Sequence, residues 1–265
     1  MKTKTICYML FVSMFATGGP TYIHAQASVD AYRATCCFRE MHASGCRTGT
    51  FFGAAFENRH LTKELMMEEV WGNIALGDNI LPFYVSHYGN GAYGQLHLTC
   101  GYGRNFGGRF SLSVRFFYLL EHARHYPSRH SIFVDASFDC MINRKLHLAA
   151  SISNPFNMRY GITASEHIPI RFNVAASYKI SGRIVADIML SKAFPGGFEA
   201  GGRLFYSPVP GLILDLACTN TRLDFGICVP LKRFLLTVRS CWSYRLSLSP
   251  QLQLMYFPPS KTAES

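Results

Sequence analysis

Long hydrophobic runs are missing from this 265-residue sequence. Past the N-terminus no stretch reaches about 18 apolar residues, which excludes a membrane-spanning helix. Charge is scarce as well, at 16% of residues, where soluble domains carry about 25%. Tryptophan occurs only 2 times, although 21 Phe and 14 Tyr bring the aromatics to 14%. The 9 cysteines and 10 histidines contain no Cys-x-x-Cys or His-x-x-x-His spacing, so no zinc site of a known pattern is present. What remains is a chain that is 49% hydrophobic and has no helix to put in a bilayer. Only helices and closed barrels satisfy every backbone hydrogen bond in lipid. The choice therefore lies between a large soluble β protein and a membrane β-barrel.

The formal net charge is +10, from 26 Lys and Arg against 16 Asp and Glu. These cations form no stripe, which reads as loop, rim and lumen charge and not as a nucleic-acid surface. The N-terminus has the three parts of an export signal: Lys2 and Lys4, a short apolar run from Ile6 to Ala16, and Ala25-Gln26-Ala27 as a small-x-small cleavage pattern. Gly18, Gly19 and Pro20 would break a buried helix here. Cleavage is expected after Ala27, leaving an N-terminal periplasmic segment over 28–49, a barrel over 50–257 and a tail over 258–265. Cys36, Cys37 and Cys46 lie close together in the mature chain, where an oxidising compartment allows one disulfide.

From about Thr50 to Phe257 the dominant period is two, the mark of strands with one apolar and one polar face. Leu248, Leu252, Leu254 and Tyr256 alternate with Ser249, Gln251 and Gln253. Phe110, Leu112, Val114 and Phe116 alternate with Ser111, Ser113 and Arg115. Turn signals of two to four residues separate such runs, among them Ser181-Gly182, Pro195 to Gly197 and Pro230 to Lys232. This predicts an all-β, antiparallel up-and-down transmembrane β-barrel of about 14 strands, with 12 as the smaller count. The first three strands are expected over Thr50–Asn58, Met66–Leu76 and Leu81–Tyr88. Helical propensity over Leu61 to Met67 suggests a short plug-like or periplasmic helix before the second. Aromatic groups such as Phe116-Phe117-Tyr118, Phe205-Tyr206, Trp242 to Tyr244 and Tyr256-Phe257 suit interfacial girdles. The competing architecture is a soluble β-sandwich, whose apolar face would point into a core.

Three short motifs add a resemblance. They are Phe56-Glu57-Asn58-Arg59-His60 followed by Lys63-Glu64-Leu65, then Gly101-Tyr102-Gly103-Arg104 with Phe106-Gly107, then Ser153-Asn154-Pro155 after the seventh strand. Their order resembles the outer-membrane barrels of the Bacteroidetes group, relatives of the long-chain fatty-acid transporter family and of the type IX secretion barrels. The resemblance implies a barrel of about 14 strands. The chain departs from the larger relatives in having no Asn-Pro-Ala motif near the first strand and no room for a large N-terminal plug.

No catalytic, cofactor or metal site is expected. His122, His125 and His130, with Arg124 and Arg129, read as an extended, solvated hairpin loop between the fifth and sixth strands. The polar faces carry Arg115, Asp135, Asp139, Asp187, Glu199, Arg203, Asp215, Arg222, Asp224 and Arg239, which a closed barrel would turn into its lumen to pair there. Gly101, Gly103, Gly201, Gly202 and Gly226 suggest bends or bulges. The expected function is a non-enzymatic outer-membrane barrel, structural or secretion-associated. The alternative is a channel for small hydrophobic solutes, and a lipid-modifying barrel enzyme is a third reading. Expected partners are outer-membrane lipid and a secretion-machine or surface protein, not nucleic acid; oligomeric state is left open.

Overall fold

A computed structural model describes residues 49–160, 167–244 and 247–259. The leader, its cleavage point and the Cys36, Cys37 and Cys46 cluster lie outside these residues. The strands are β1 (Phe51–Asn58), β2 (Met66–Leu76), β3 (Asn79–Gly89), β4 (Tyr93–Phe106), β5 (Phe110–Ala123), β6 (Arg129–Met141) and β7 (Leu146–Ser153). They continue as β8 (Ile170–Lys179), β9 (Ile184–Phe194), β10 (Phe198–Tyr206), β11 (Ile213–Thr219), β12 (Arg222–Leu231), β13 (Phe234–Ser243) and β14 (Leu248–Tyr256). Each pairs antiparallel with its neighbours in sequence, and β1 pairs with β14 to close one 14-stranded barrel. The closing register sets Phe52 opposite Tyr256 and Phe56 opposite Leu252. Closure leaves no free sheet edge, as lipid demands.

The alternation sets which side faces out. Along β5, Phe110, Leu112, Val114 and Phe116 are exposed, while Ser111, Ser113, Arg115 and Phe117 between them are buried. The same holds for Leu248, Leu252 and Leu254 against Ser249, Gln251 and Gln253 on β14. A continuous apolar exterior of this extent is far beyond what a water-soluble monomer exposes. The single closed sheet with its polar residues inside excludes the sandwich. Among the described residues no helix is long and apolar enough to cross a membrane.

Both ends of the strand series, the start of β1 and the finish of β14, lie at one end of the barrel, here called the termini end. Connections there run from two residues (Gly77-Asp78) to six (207–212). The opposite loop end carries the longest connection, 154–169 between β7 and β8.

Several local expectations are corrected. Over Leu61 to Met67 there is no helix, only a 3-10 turn at Arg59–Leu61, and it sits at the loop end. Met66 and Met67 are drawn into β2 by pairing with Asn58 and Glu57, so the ladder overrides local propensity. β3 begins two residues earlier than expected, at Asn79. The β5–β6 connection is short, 124–128, because Leu120 and Glu121 extend the ladder against His130 and Arg129. His122 and His130 are therefore strand residues, and His130 Nδ1 lies 2.7 Å from the Tyr118 hydroxyl. Phe116-Phe117-Tyr118 is mid-strand and no girdle element, and Phe117 points inward. Phe205 is also inward, at 1% exposure, while Tyr206 faces out. Gly101, Gly103, Gly201, Gly202 and Gly226 occupy regular paired positions, so they are not bulges.

Candidate functional site: a cavity at the loop end of the lumen

The interior has two zones. At the termini end Phe51 and Ala55 (β1), Trp71 (β2), Val185 (β9), Phe205 (β10), Ile213 (β11), Cys228 (β12), Leu235 (β13) and Met255 (β14) form one buried apolar cluster. It runs along eight adjacent strands, from β9 through the β14–β1 seam to β2. Trp71 reaches its place because its partner in register is Gly53; a Cβ there would lie 2.5 Å from the indole. These side chains sit on the face that alternation assigned to polar residues. Parity could have found three of them, since Val185, Phe205 and Ile213 are two residues from Asp187, Arg203 and Asp215 and so share their side.

Above this zone lie the inward charges. Arg203 makes two hydrogen bonds to the Asp215 carboxylate, Nε to Oδ1 at 2.7 Å and Nη2 to Oδ2 at 3.1 Å. Arg239 donates to the same Oδ2 at 2.7 Å. All three residues are at most 6% exposed. Asp215 and Arg239 stand on β11 and β13, each opposite Gly226 of the intervening β12. The bare glycine leaves the gap across which the carboxylate and guanidinium meet. A second pair, Arg115 Nη2 to Asp135 Oδ2 at 3.4 Å, joins β5 to β6, and Ser153 Oγ donates to Asp135 Oδ1 at 2.5 Å. Here too a glycine makes room: a Cβ on Gly101 would lie 2.5 Å from Arg115 Cγ. Buried ions need such partners, since stranding one costs several kcal/mol.

The other charged residues singled out from sequence divide by height. Asp139 is buried and bonds His147 Nε2 at 2.6 Å; Asp187 and Asp224 are also buried. Glu199 is exposed and accepts from Thr221 Oγ1 at 3.3 Å. The Arg222 side chain is 41% exposed beside Asp224, 3.5 Å away. These last two belong to the mouth and not to the packed interior.

At the loop end the interior opens into a cavity of about 690 Å³. Its wall mixes aromatic and polar groups. Phe117 and Phe133 are stacked, with ring centroids 4.8 Å apart and planes within 10°. Tyr84 donates from its hydroxyl to Glu69 at 2.6 Å. Arg59 lies 4.8 Å over the Tyr88 ring and 3.3 Å from Glu57. The β7–β8 connection supplies Tyr160, Ile168 and Pro169. Asn154 organises it: fully buried, with φ 51°, it accepts from the Met158 amide at 2.9 Å and donates to the Ile168 carbonyl at 2.6 Å. Asn tolerates this left-handed backbone better than bulkier residues. Ser131, on the inner face of β6, donates to the Arg159 carbonyl at 3.1 Å and so holds the connection against the inner wall. Among the described residues no three His, Cys, Asp or Glu side chains are grouped to hold a metal ion.

No protein-family model matches the chain, and no curated protein matches it. Among solved structures it is similar to the toluene transporter TodX of P. putida, at 8% identity and a TM-score of 0.57, over 80% of this chain and 90% of that one. It is also similar to the CymD monoaromatic hydrocarbon channel, at 8% identity and a TM-score of 0.55, over 80% and 88% of the two chains. Identities this low establish the shared fold alone: a closed, antiparallel β-barrel.

Proposed function

We propose that the protein is an outer-membrane channel for small, partly apolar solutes, which enter from the loop end. The observation that carries this is the cavity of about 690 Å³, within the roughly 300–1,000 Å³ range of small-ligand sites. Its aromatic pair Phe117 and Phe133 offers a flat apolar surface among polar groups. The neighbouring folds, a toluene transporter and a monoaromatic hydrocarbon channel, support the same reading. Short turns at the termini end and the longest connection at the other support one orientation, termini end to the periplasm and loop end to the exterior. Export by the N-terminal signal and residence in the outer membrane are parts of this proposal. So is the kinship with Bacteroidetes barrels, which rests on the three short motifs. The inward charges then act as the fixed polar skeleton of the lumen.

Liposome swelling and single-channel recording test the reading. Uptake of a monoaromatic solute above protein-free background is expected, and none at any protein density would refute it. Bilayer-dissolved labelling reagents should reach Leu248, Val238 and Phe116, all outward-facing.

A structural or secretion-associated role is the second reading. One observation favours it: the buried apolar cluster occupies the termini end along eight strands, where a conducting path would have to continue. A folded, heat-modifiable barrel without conductance would select this reading.

A further inference from the structure

Six turns cap the termini end, and four of them carry cations. Arg109 lies between β4 and β5, Arg144 and Lys145 between β6 and β7, Arg183 between β8 and β9, and Lys232 and Arg233 between β12 and β13. Asp78 is the one acidic residue in the six turns. Arg144, Lys145, Arg183, Lys232 and Arg233 are exposed, and none makes an ion pair with a described residue. The loop end differs: there Lys63 neighbours Glu64, and Arg129 stands opposite Glu121.

Just inside these turns, on the outer face, lies a band of aromatic pairs. Phe106 and Phe110 stack across the β4–β5 turn with centroids 4.9 Å apart. Phe234 and Tyr256 sit 5.1 Å apart, directly after Lys232 and Arg233. Arg104 lies 5.8 Å over the Phe106 ring. Outward aromatic bands on barrels mark the boundary between hydrocarbon and headgroups. Cations one step beyond that boundary stand at the depth of lipid phosphates, which arginine forks bind with two hydrogen bonds. The cations also follow the barrel perimeter, as a lipid annulus does, and do not gather on one flank where a globular protein would dock.

We infer that the termini end is a binding surface for the phosphate headgroups of anionic phospholipids in the surrounding leaflet. This inference does not depend on whether the cavity conducts. The test uses the folded protein in detergent with phosphatidylglycerol and phosphatidylethanolamine at equal mole fraction, and counts retained lipids by native mass spectrometry. Phosphatidylglycerol should be preferred, with about fivefold preference for each engaged cation. The variant R144Q/K145Q/R183Q/K232Q/R233Q should bring the ratio close to one, while K63Q/R124Q/R129Q at the loop end should leave it unchanged. Heat-modifiable migration checks folding; should the quintuple variant not fold, R144Q/K145Q and K232Q/R233Q should each lower the ratio alone. Arg144→Lys with Arg183→Lys should retain it. Equal retention of the two lipids by the unaltered protein would overturn the inference, and so would a preference that follows the loop-end substitutions. Displacement of bound phosphatidylglycerol by soluble polyglutamate or inorganic phosphate at matched charge would overturn it too, pointing instead to an acidic polypeptide or a free anion.

Discussion

The two ends of the lumen solve the same problem in opposite ways. Both consist of inward side chains on the same 14 strands. At the termini end the wall contributes Trp71, Phe205, Ile213, Leu235 and Met255, which pack and are lost to solvent. At the loop end the strands contribute Glu57, Glu69, Arg171 and Glu199, and the turn after β1 adds Arg59, around a space that stays open. Between the two lie the Arg203–Asp215–Arg239 and Arg115–Asp135 groups, charged yet buried. The bore of a barrel is thus not set by strand number alone. Which side chains occupy the inner parity decides whether a given height is packed, braced by ions or open.

Four perturbations probe the difference between the two ends. The largest effect is expected from Trp71→Ala combined with Phe205→Ala. Each truncation removes a buried aromatic, at a cost of about 3–5 kcal/mol, read as a lower urea midpoint of the folded band in heat-modifiable gels. If the apolar zone is what blocks passage, the double variant should also raise single-channel conductance, and an unchanged conductance would show that the block lies elsewhere. Next comes Asp215→Ala, which strands Arg203 and Arg239 together and should cost about 3–5 kcal/mol. Replacing all three by apolar residues of similar volume should be nearly neutral by the same measurement. If the triple variant were as unstable as the single one, the ion group would be doing more than satisfying itself.

Gly226→Val is expected to cost less, about 1–3 kcal/mol by overpacking. Its Cβ would sit 3.4 Å from Asp215 Cβ and 3.7 Å from Arg239 Cγ, so added methyl groups must push the pair apart. Smallest is Tyr84→Phe, which removes the 2.6 Å hydrogen bond to Glu69 at the cavity wall and should cost about 1 kcal/mol. Solute uptake should respond more to this change than stability does, if the cavity is the entry site.

Much of the fold was legible because alternation is a local property. Ser111, Ser113 and Arg115 against Leu112, Val114 and Phe116 need no partner strand to be read, and short turns left the next strand nowhere to go but alongside. The site was less legible. Charged residues on the polar face, such as Asp215 and Arg239, could be assigned a side from parity, but their meeting depends on Gly226 in a strand between them. Trp71 was hidden for another reason: a period-two pattern equates apolar with outward, and this residue is apolar and inward. Phe117 shares the side of Arg115 by parity, but its apolar character argues for the other face. The loop residues Asn154, Ile168 and Pro169 act through a connection whose course no periodicity encodes. The helix expected over Leu61 to Met67 failed because pairing with Glu57 and Asn58 outweighs what two methionines prefer alone.

Strict pairing of each strand with its neighbours in sequence has a further consequence. No hairpin is threaded through or clasped by another, so duplication or loss of a single hairpin would leave every other junction as it was. Girth could thus be altered in steps of two strands by ordinary gene rearrangement. The cost would fall on whichever inner contacts cross the altered junction, and Asp215 with Arg239, bridging three consecutive strands, marks a place where such a splice is least tolerated.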